Sequence, residues 1–446
     1  MISSNSSTGS NWASATIPKD EVRLGWVSAP NQRGTIDILY ASFIVFAVSV
    51  WTVLHPNIPS RSDSYWRMVR SKIIWAILGV SSPEMLTLFA VSQWNAARAS
   101  VADMRELGVE DWTMVQVFED VNLTLLLSRS AFYANSGGFF LEAPDCPAFP
   151  INAKSVHYLY SKGLIEFPRI TREDIWDRSK ADRFAKIVAL TQAAWLLAQT
   201  IARAVQGLAI TPLELFAVAF AVPTLATSFF LANKPKDVEH TTTIVMEKPI
   251  AEILLAAGKS AEQPWVDTPL DFVEKPFRER WERASPFRHF GGLQKRPIQR
   301  IPDDFVAPPN GRQSLIVWVV STVHAAVHVA GWSFSFPTRA ESIIWRVASL
   351  ILLFFMFTGG VIPVISTEPW FDFEFTLLWV WVRKTNVQDP TWIRRYLLRR
   401  ISDVTYALYT TARVLLFVEV FIAFRSLPAS AYQTVNWSGF LPHIGR

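Results

Sequence analysis

One glutamate lies inside an apolar stretch of this sequence, where a carboxyl group could act as a catalytic acid. Glu84 follows Pro83 in the segment Ile73 to Trp94, whose other residues are mainly apolar. A carboxyl group buried in apolar surroundings favours its protonated form, which is the form that a proton donor requires. Alternatively, the carboxylate accepts a hydrogen bond where the proline kinks the helix. We predict Glu84 as a catalytic acid and keep the structural role as the alternative.

Polar side chains also follow one face of a later apolar segment. They recur at offsets of three and four residues, which places them on one side of a helix: Gln192, Trp195, Gln199 and Arg203. Glu214 lies just beyond the following turn, so a buried ion pair between Arg203 and Glu214 can lock two consecutive helices together. The alternative is that this face lines a substrate cavity, where Gln192, Gln199 and Arg203 orient a polar head group.

The last apolar segment carries Tyr406, Tyr409 and Arg413 on one helical face. The π faces of aromatic rings attract cations. With Trp195, the two tyrosines are therefore predicted to stabilise a cationic intermediate of a lipophilic substrate.

Two histidines four residues apart, His324 and His328, have good spacing for two metal ligands. A zincin motif needs a Glu directly after its first His, and this chain has Ala325 there. The whole chain holds seven histidines, too few for the clusters of membrane di-iron hydroxylases. We therefore predict no metal and no cofactor, and expect the pair to bond to neighbouring helices. A single metal or a haem at this pair is the alternative.

The composition places these residues in a membrane. Of 446 residues, 50% are hydrophobic and only 18% are charged, against about 25% charged in soluble domains. A soluble protein of this composition would expose large apolar patches. The net charge of +5 comes without the basic and aromatic pattern of a nucleic-acid-binding module, so no nucleic-acid partner is expected. The single cysteine, Cys146, excludes an intramolecular disulfide and multi-cysteine metal sites.

Seven stretches are long and apolar enough to span a bilayer: Thr35 to His55, Ile73 to Trp94, Ala185 to Gly207, Ile210 to Ala232, Ser314 to Phe334, Ile343 to Ile365 and Val404 to Phe424. The predicted fold is an all-α integral membrane protein with about seven transmembrane helices and two long polar connections. Neither connection is apolar enough to hold a large core of its own. The predicted regions are a polar tail (1–34), two spans (35–94), a long connection (95–184), a helical hairpin (185–232), a second long connection with a basic–aromatic segment (233–313), three spans with an interfacial helix (314–427) and a C-terminal tail (428–446).

Seven crossings place the N-terminal and C-terminal tails on opposite sides of the membrane. Sequons occur at Asn5, Asn122 and Asn436, so glycosylation is expected at Asn436 or Asn5 but not at both. The polar N-terminus, Met1 to Ser10, has no apolar core, and a cleaved signal peptide is not expected. The predicted location is the endoplasmic reticulum or another endomembrane, with the lipid bilayer as partner; the sequence does not indicate an oligomeric state.

Several short motifs are familiar as a set. They are His55-Pro56-Asn57-Ile58-Pro59, Ser82-Pro83-Glu84, Gly137-Gly138-Phe139, Ala143-Pro144, Ser179-Lys180-Ala181-Asp182, Gln192 with Trp195, Ile201-Ala202-Arg203, Ile210-Thr211-Pro212-Leu213-Glu214 and Lys234-Pro235-Lys236-Asp237-Val238. Together they resemble a large group of mostly uncharacterised, filamentous-fungal, multi-pass membrane proteins over nearly the whole chain. The resemblance implies a membrane topology and a fungal origin, and it implies no mechanism.

Two function hypotheses follow. The first is an integral-membrane enzyme of the cyclase or isomerase type, which protonates a lipophilic, isoprenoid-like metabolite of fungal secondary metabolism through Glu84. The resemblance to membrane terpene cyclases is one of chemistry only, because those enzymes are much shorter. The second is a non-catalytic receptor, carrier or membrane-organising protein, in which the buried charges are structural pairs or parts of a permeation path.

Overall fold

The computed structural model describes residues 22–29, 33–109, 129–168, 180–236, 238, 241–258, 265, 267–274, 296–303, 311–365 and 392–440. Its α-helices, numbered in chain order, are α1 Thr35–Val53, α2 Tyr65–Ser81, α3 Pro83–Glu106, α4 Arg129–Asn135, α5 Ala153–Ser161, α6 Lys180–Val205, α7 Pro212–Phe230, α8 Ile250–Ala257, α9 Gly311–Val329, α10 Arg339–Ile365 and α11 Trp392–Ile422. The strands are β1 Arg23–Leu24, β2 Phe139–Ala143, β3 Cys146–Ile151, β4 Thr242–Val245 and β5 Leu427–Pro428.

Six of these helices are long and apolar enough to cross a bilayer, and a bent helix pair makes a seventh candidate. Their apolar parts are Thr35–Val53, Lys186–Val205, Pro212–Phe230, Arg312–Ser333, Arg339–Thr358 and Ala407–Arg425. Only that of α7 is mostly buried, at 72%, whereas that of α6 is 28% buried. Helix α7 is therefore the central helix. The outer helices point large apolar side chains such as Phe43 and Phe354 away from the protein, where lipid would cover them.

The N-terminal and C-terminal segments lie at the same end of the helix bundle. Strand β1 pairs with β5, with Arg23 opposite Pro428. The guanidinium of Arg23 also donates to Ser335, in the connection between α9 and α10. Because β1 and β5 pair at one end of the bundle, the chain between them must cross the membrane an even number of times. The prediction of tails on opposite sides is therefore wrong. Six crossings result when the six long helices are the spans and the bent pair α2–α3 begins and ends on one side of the bilayer.

The predicted second span, Ile73 to Trp94, is two helices rather than one. Helices α2 and α3 meet at an angle of 112° at Ser82. Ser82 has a φ of −149°, outside the helical range, and Pro83 starts α3 as its first residue. Proline lacks the N–H that a continuing helix needs, but it fits the first turn of a new helix. The proline that suggested a kink therefore begins a separate helix.

The two long connections together form a small α/β unit at the other end of the bundle. Strand β2 pairs antiparallel with β3, Phe139 opposite Ile151, and parallel with β4, Phe139 opposite Thr242. Strands β2 and β3 belong to the first connection and β4 to the second. A sheet is therefore present in a chain predicted as all-α, although the fold is mainly helical.

Buried residues from both connections and from α3 share one apolar core in this unit. Fully or almost fully buried members are Met104, Phe132, Phe139, Leu141, Phe149, Val156, Leu159 and Ile253. At Gly138, a Cβ atom would lie 2.2 Å from the ring of Tyr133, so only glycine allows this close approach. We expected no large core from either connection by itself. The structure shows that residues of both connections pack together into one core.

Candidate functional site

Glu84 lies at the junction of α2 and α3, one residue into the new helix. It is 1% exposed. Its Oε1 accepts a hydrogen bond from the hydroxyl of Tyr409 on α11, while its Oε2 has no hydrogen-bond partner among the described residues. The sequence placed Glu84 at the centre of a span, and the structure places it where α3 starts inside the bundle.

Arg413 lies one turn along α11 from Tyr409 and is 4% exposed. Its guanidinium carbon lies 5.7 Å from the ring centre of Phe216 and 5.2 Å from that of Phe220, both on the central helix α7. Within the described part of the chain, its Nε and Nη2 have no hydrogen-bond acceptor. An arginine with unmet donors inside an apolar bundle is costly, which makes it a site for a ligand or water.

His324 and His328 lie on α9, facing the same phenylalanines. Nδ1 of His324 donates to the carbonyl of Ala219 at 2.8 Å, and Nδ1 of His328 donates to the carbonyl of His324 at 3.0 Å. A carbonyl can only accept, so each neutral ring carries its proton on Nδ1 and has a lone pair on Nε2. Neither Nε2 atom has a partner among the described residues.

These side chains form one group, which we call the interior polar cluster: Glu84, Tyr409, Arg413, His324 and His328. The ring centres of the two histidines are 5.1 Å apart. The guanidinium of Arg413 interacts electrostatically with both histidines and with Tyr409. Helices α3, α9 and α11 thus bring an acid, a phenol, a guanidinium and two imidazoles to the inner side of the bundle. Such groups can give, take and hold a proton away from bulk water.

The interior polar cluster is a poor metal site as it stands. Two imidazoles with free Nε2 atoms and Nδ1 atoms fixed by carbonyls match the orientation of metal ligands. However, the described residues contain no group of three or more His, Cys, Asp or Glu residues that could hold a metal ion. The positive charge of Arg413 beside the pair also disfavours a cation.

The predicted partners Arg203 and Glu214 each bond to other groups. The buried carboxylate of Glu214 forms an ion pair with Arg33 and also accepts from Thr211 at the start of α7. The guanidinium of Arg203 donates instead to four backbone carbonyls, those of Ala209, Ser430, Ala431 and Gln433. Arg203 therefore ties the C-terminal segment to the α6–α7 turn. The cationic partner of Glu214 lies just before α1, in a segment that the sequence analysis did not consider.

The remaining predicted binding residues do not gather around Glu84. Trp195 is 54% exposed, and its ring stacks on that of Trp437 with centres 5.2 Å apart. Gln192 and Gln199 are partly buried on the same face of α6. The side chain of Tyr406 lies outside the described residues. Trp195 and Arg203 on this face contact the C-terminal segment, and neither belongs to the interior polar cluster.

Of the predicted glycosylation sites, Asn436 is exposed. The hydroxyl of Ser438 donates to its side-chain oxygen at 2.6 Å. Asn5 and Asn122 lie outside the described residues.

A second buried polar site, which was not predicted from the sequence, lies where the bundle meets the α/β unit. The ammonium of Lys234 donates to the carbonyl of His55 at 2.6 Å, to Oδ1 of Asn57 at 2.9 Å and to Oε1 of Gln93 at 2.9 Å. Burial lowers the pKa of Lys234 to about 7, and the carboxylate of Asp303 opposes that change. The clue in the sequence was a lysine only two residues beyond the apolar segment Ile210 to Ala232.

A cavity of about 40 Å³ lies beside Lys234, lined among others by Trp75, Gln93 and Asp303. That volume has room for a few water molecules and is far below that of an isoprenoid. Glu84 does not line it. The cavity is therefore too small for a substrate of that class and lies apart from Glu84.

Comparison with known proteins gives a family and no function. The chain matches the model of a family of unknown function (DUF8562) over residues 10–261 and 312–444. No curated protein and no solved structure matches it. The match covers the six apolar helices and both halves of the α/β unit, and the family description names neither a fungal origin nor a membrane.

Proposed function

This chain belongs to that family of unknown function, and on this premise we propose an activity from the interior polar cluster. The protein is an integral-membrane enzyme in which Glu84 gives a proton to a lipophilic, isoprenoid-like metabolite. The reaction class is a cyclisation or isomerisation: a proton from the carboxyl group adds to an alkene or epoxide, and the resulting cation rearranges. It then loses a proton from carbon to the cluster, so the reaction needs no oxidant and no cofactor.

The main support for this proposal is that Oε2 of the buried Glu84 has no hydrogen-bond partner among the described residues. Tyr409 holds the other oxygen, which leaves Oε2 as the atom that would carry the transferable proton. A native protein pairs most of its buried polar atoms, so an exception at the bend of a helix pair is typical of a functional site.

Aromatic rings beside the cluster support a cationic intermediate. The ring centres of Phe46 and Phe220 are 4.7 Å apart, and those of Phe216 and Phe417 are 5.9 Å apart. Phe216 and Phe220 already hold the cationic side chain of Arg413 against their rings. Rings in this position can stabilise a carbocation by the same electrostatics. These phenylalanines replace Trp195 in the cation-stabilising role predicted from the sequence.

A proton-linked carrier is a second candidate, because of the bent helix pair. Discontinuous helices that start inside a bundle form the binding sites of many transporters, and α3 starts in this way beside Glu84. In a carrier the cluster would pass protons to and from water, and the transported compound would leave chemically unchanged.

Metabolite profiling separates the two candidates. A fungal host that expresses the chain is compared with the same host carrying an empty vector and with a host expressing Glu84→Gln. A compound that appears only with the unchanged chain supports the enzyme. An unchanged set of compounds with altered uptake rates supports the carrier and rejects the enzyme. Glu252→Gln, on the exposed face of α8, is the matched control and should behave as the unchanged chain.

The compartment that we propose is the endoplasmic reticulum or another endomembrane. Supporting features are the six bilayer-length helices and the exposed sequon at Asn436. Fungal secondary metabolism would supply a substrate of this class. Fluorescence microscopy of a C-terminally tagged chain beside an endoplasmic reticulum marker tests the location.

A further inference from the structure

One edge of the Arg413 guanidinium has no hydrogen-bond partner in the described part of the chain, and the geometry of that edge is fixed by the planar group. The atoms that lack acceptors are Nε and Nη2, whose N–H bonds point in parallel from the same side of the planar group. Two parallel N–H donors match the two oxygens of a carboxylate or phosphate. The side chain is 4% exposed, so bulk water does not satisfy this edge.

Among the residues that the structure describes, the positive charge of Arg413 has no direct anionic partner. The acid of the cluster, Glu84, accepts from Tyr409 rather than from the guanidinium. His324 and His328 hold their protons on Nδ1 through bonds to carbonyls, so they contribute no negative charge. Phe216 and Phe220 lie against the guanidinium and make the space around it apolar.

We propose that Arg413 binds the two-oxygen anionic head group of an amphiphile, a carboxylate or a phosphate with an apolar body. The head group completes the Nε and Nη2 edge, and the apolar body lies among the phenylalanines of α7. This proposal rests on the proposed function in one respect, since it names the class of molecule that the interior polar cluster holds for Glu84. Tyr409 and Arg413 are one turn apart, which places the bound molecule beside the proton donor.

Binding to the purified full-length chain tests this without any activity. The chain in a lipid nanodisc is titrated with decanoate or with decyl phosphate, and intrinsic tryptophan fluorescence and thermal unfolding are recorded. Methyl decanoate, uncharged and of the same chain length, controls for partition into the lipid. Acetate and inorganic phosphate test the head group alone. We expect saturable stabilisation by one or both charged amphiphiles and none by the ester; comparison of the two identifies the head group.

Variants locate the site. Arg413→Lys keeps the charge but removes the paired donors, and we expect binding about tenfold weaker or worse. Arg346→Lys is the matched control, because Arg346 also lies in an apolar helix but bonds to the carbonyl of Trp332; its binding should equal that of the unchanged chain. If Arg413→Lys does not fold, the comparison of decanoate with its methyl ester still decides.

Three results would overturn the proposal: equal stabilisation by decanoate and its ester, equal stabilisation by acetate or phosphate alone, or unchanged affinity in Arg413→Lys. Glu84→Gln separates this inference from the proposed function. If Glu84→Gln still binds the amphiphile, the Arg413 site is supported whether or not Glu84 is the catalytic acid. If Glu84→Gln loses the product but the unchanged chain binds neither amphiphile, the Arg413 site is rejected and the acid role of Glu84 stands.

Discussion

Buried charges in this protein fall into two kinds. Arg33, Glu214 and Lys234 have partners for their charged groups, and these residues hold segments together. Within the part of the chain that the structure describes, Glu84, Arg413 and Glu419 each have a buried polar atom without a hydrogen-bond partner, and Glu84 and Arg413 both belong to the interior polar cluster. An unpaired buried polar atom lowers the stability of the fold by about 1–3 kcal/mol. Buried charged residues with such atoms are therefore the candidates for binding or catalysis. Sequence spacing identified Glu84, Tyr409 and Arg413, but could not show which atoms lack partners.

Replacing Glu214 with Gln should strongly destabilise the fold, because Arg33 is then buried without its counter-charge. The expected cost is about 3–5 kcal/mol, even though Gln can still cap α7. Adding Arg33→Met removes the unpaired charge and should restore part of the stability. Thermal unfolding in detergent measures both variants. Equal destabilisation by the single and the double variant would show that the ion pair is not responsible.

Lys234 should make stability depend on pH above neutrality. Its pKa is about 7 in the folded chain and about 10.4 when unfolded, so between these values the unfolded chain binds more protons. Stability due to this group therefore rises as pH increases from 7 towards 10, by at most about 1.4 kcal/mol per pH unit. In Lys234→Met that rise should disappear, whereas the exposed control Lys248→Met should keep it. Parallel pH profiles for all three proteins would contradict the assignment.

The lengths of the apolar segments predicted most of the long helices well, but they did not predict the bend between α2 and α3. The bounds of the first span and of the helical hairpin follow from runs of apolar residues, which α1, α6 and α7 reproduce within a few residues. The segment Ile73 to Trp94 has a similar run, but Pro83 starts a second helix there. A composition window cannot tell a kinked span from two helices, because both place the same residues in an apolar environment.

Single cysteines test the path of α2 and α3. In a Cys146→Ser background, Ser62→Cys precedes α2, Glu106→Cys ends α3 and Thr434→Cys reports the opposite end of the bundle. In sealed microsomes, a membrane-impermeant maleimide should label the first two alike and the third with the opposite accessibility. Opposite labelling of Ser62→Cys and Glu106→Cys would mean that the pair spans the membrane.

Across the whole chain, strand pairing between distant segments determines the topology and the α/β unit, neither of which the local sequence predicts. The strand pair of Arg23 with Pro428 fixes an even number of crossings. The parallel pairing of β2 with β4 joins two connections more than 90 residues apart in the chain. Neither connection has enough apolar residues to suggest a core alone. Pairing between distant segments leaves no periodic signal in a single sequence, which is why the α/β unit was not predicted.

Glycan mapping tests this topology. Asn5 precedes the first span and Asn436 follows the last, so six crossings place both on one side and Asn122 on the other. We expect modification of Asn5 and Asn436, or of Asn122, but never of Asn122 together with Asn436. Mass spectrometry of peptides after glycosidase treatment gives the answer. Glycans on both Asn122 and Asn436 would require an even number of crossings between them, and therefore the loss of one of the five spans that separate them.

Product formation by two variants decides whether Glu84 is the proton donor of a membrane enzyme. Glu84→Gln keeps the shape and hydrogen bonds of the side chain but has no transferable proton, so it should fold normally and form no product. Glu84→Asp keeps the acid and should retain some turnover. The control Glu419→Gln removes a buried carboxyl group outside the cluster and should retain product. A structural role predicts the reverse order, with Glu84→Gln nearly silent and Glu84→Asp impaired, and full product formation by Glu84→Gln would contradict the account.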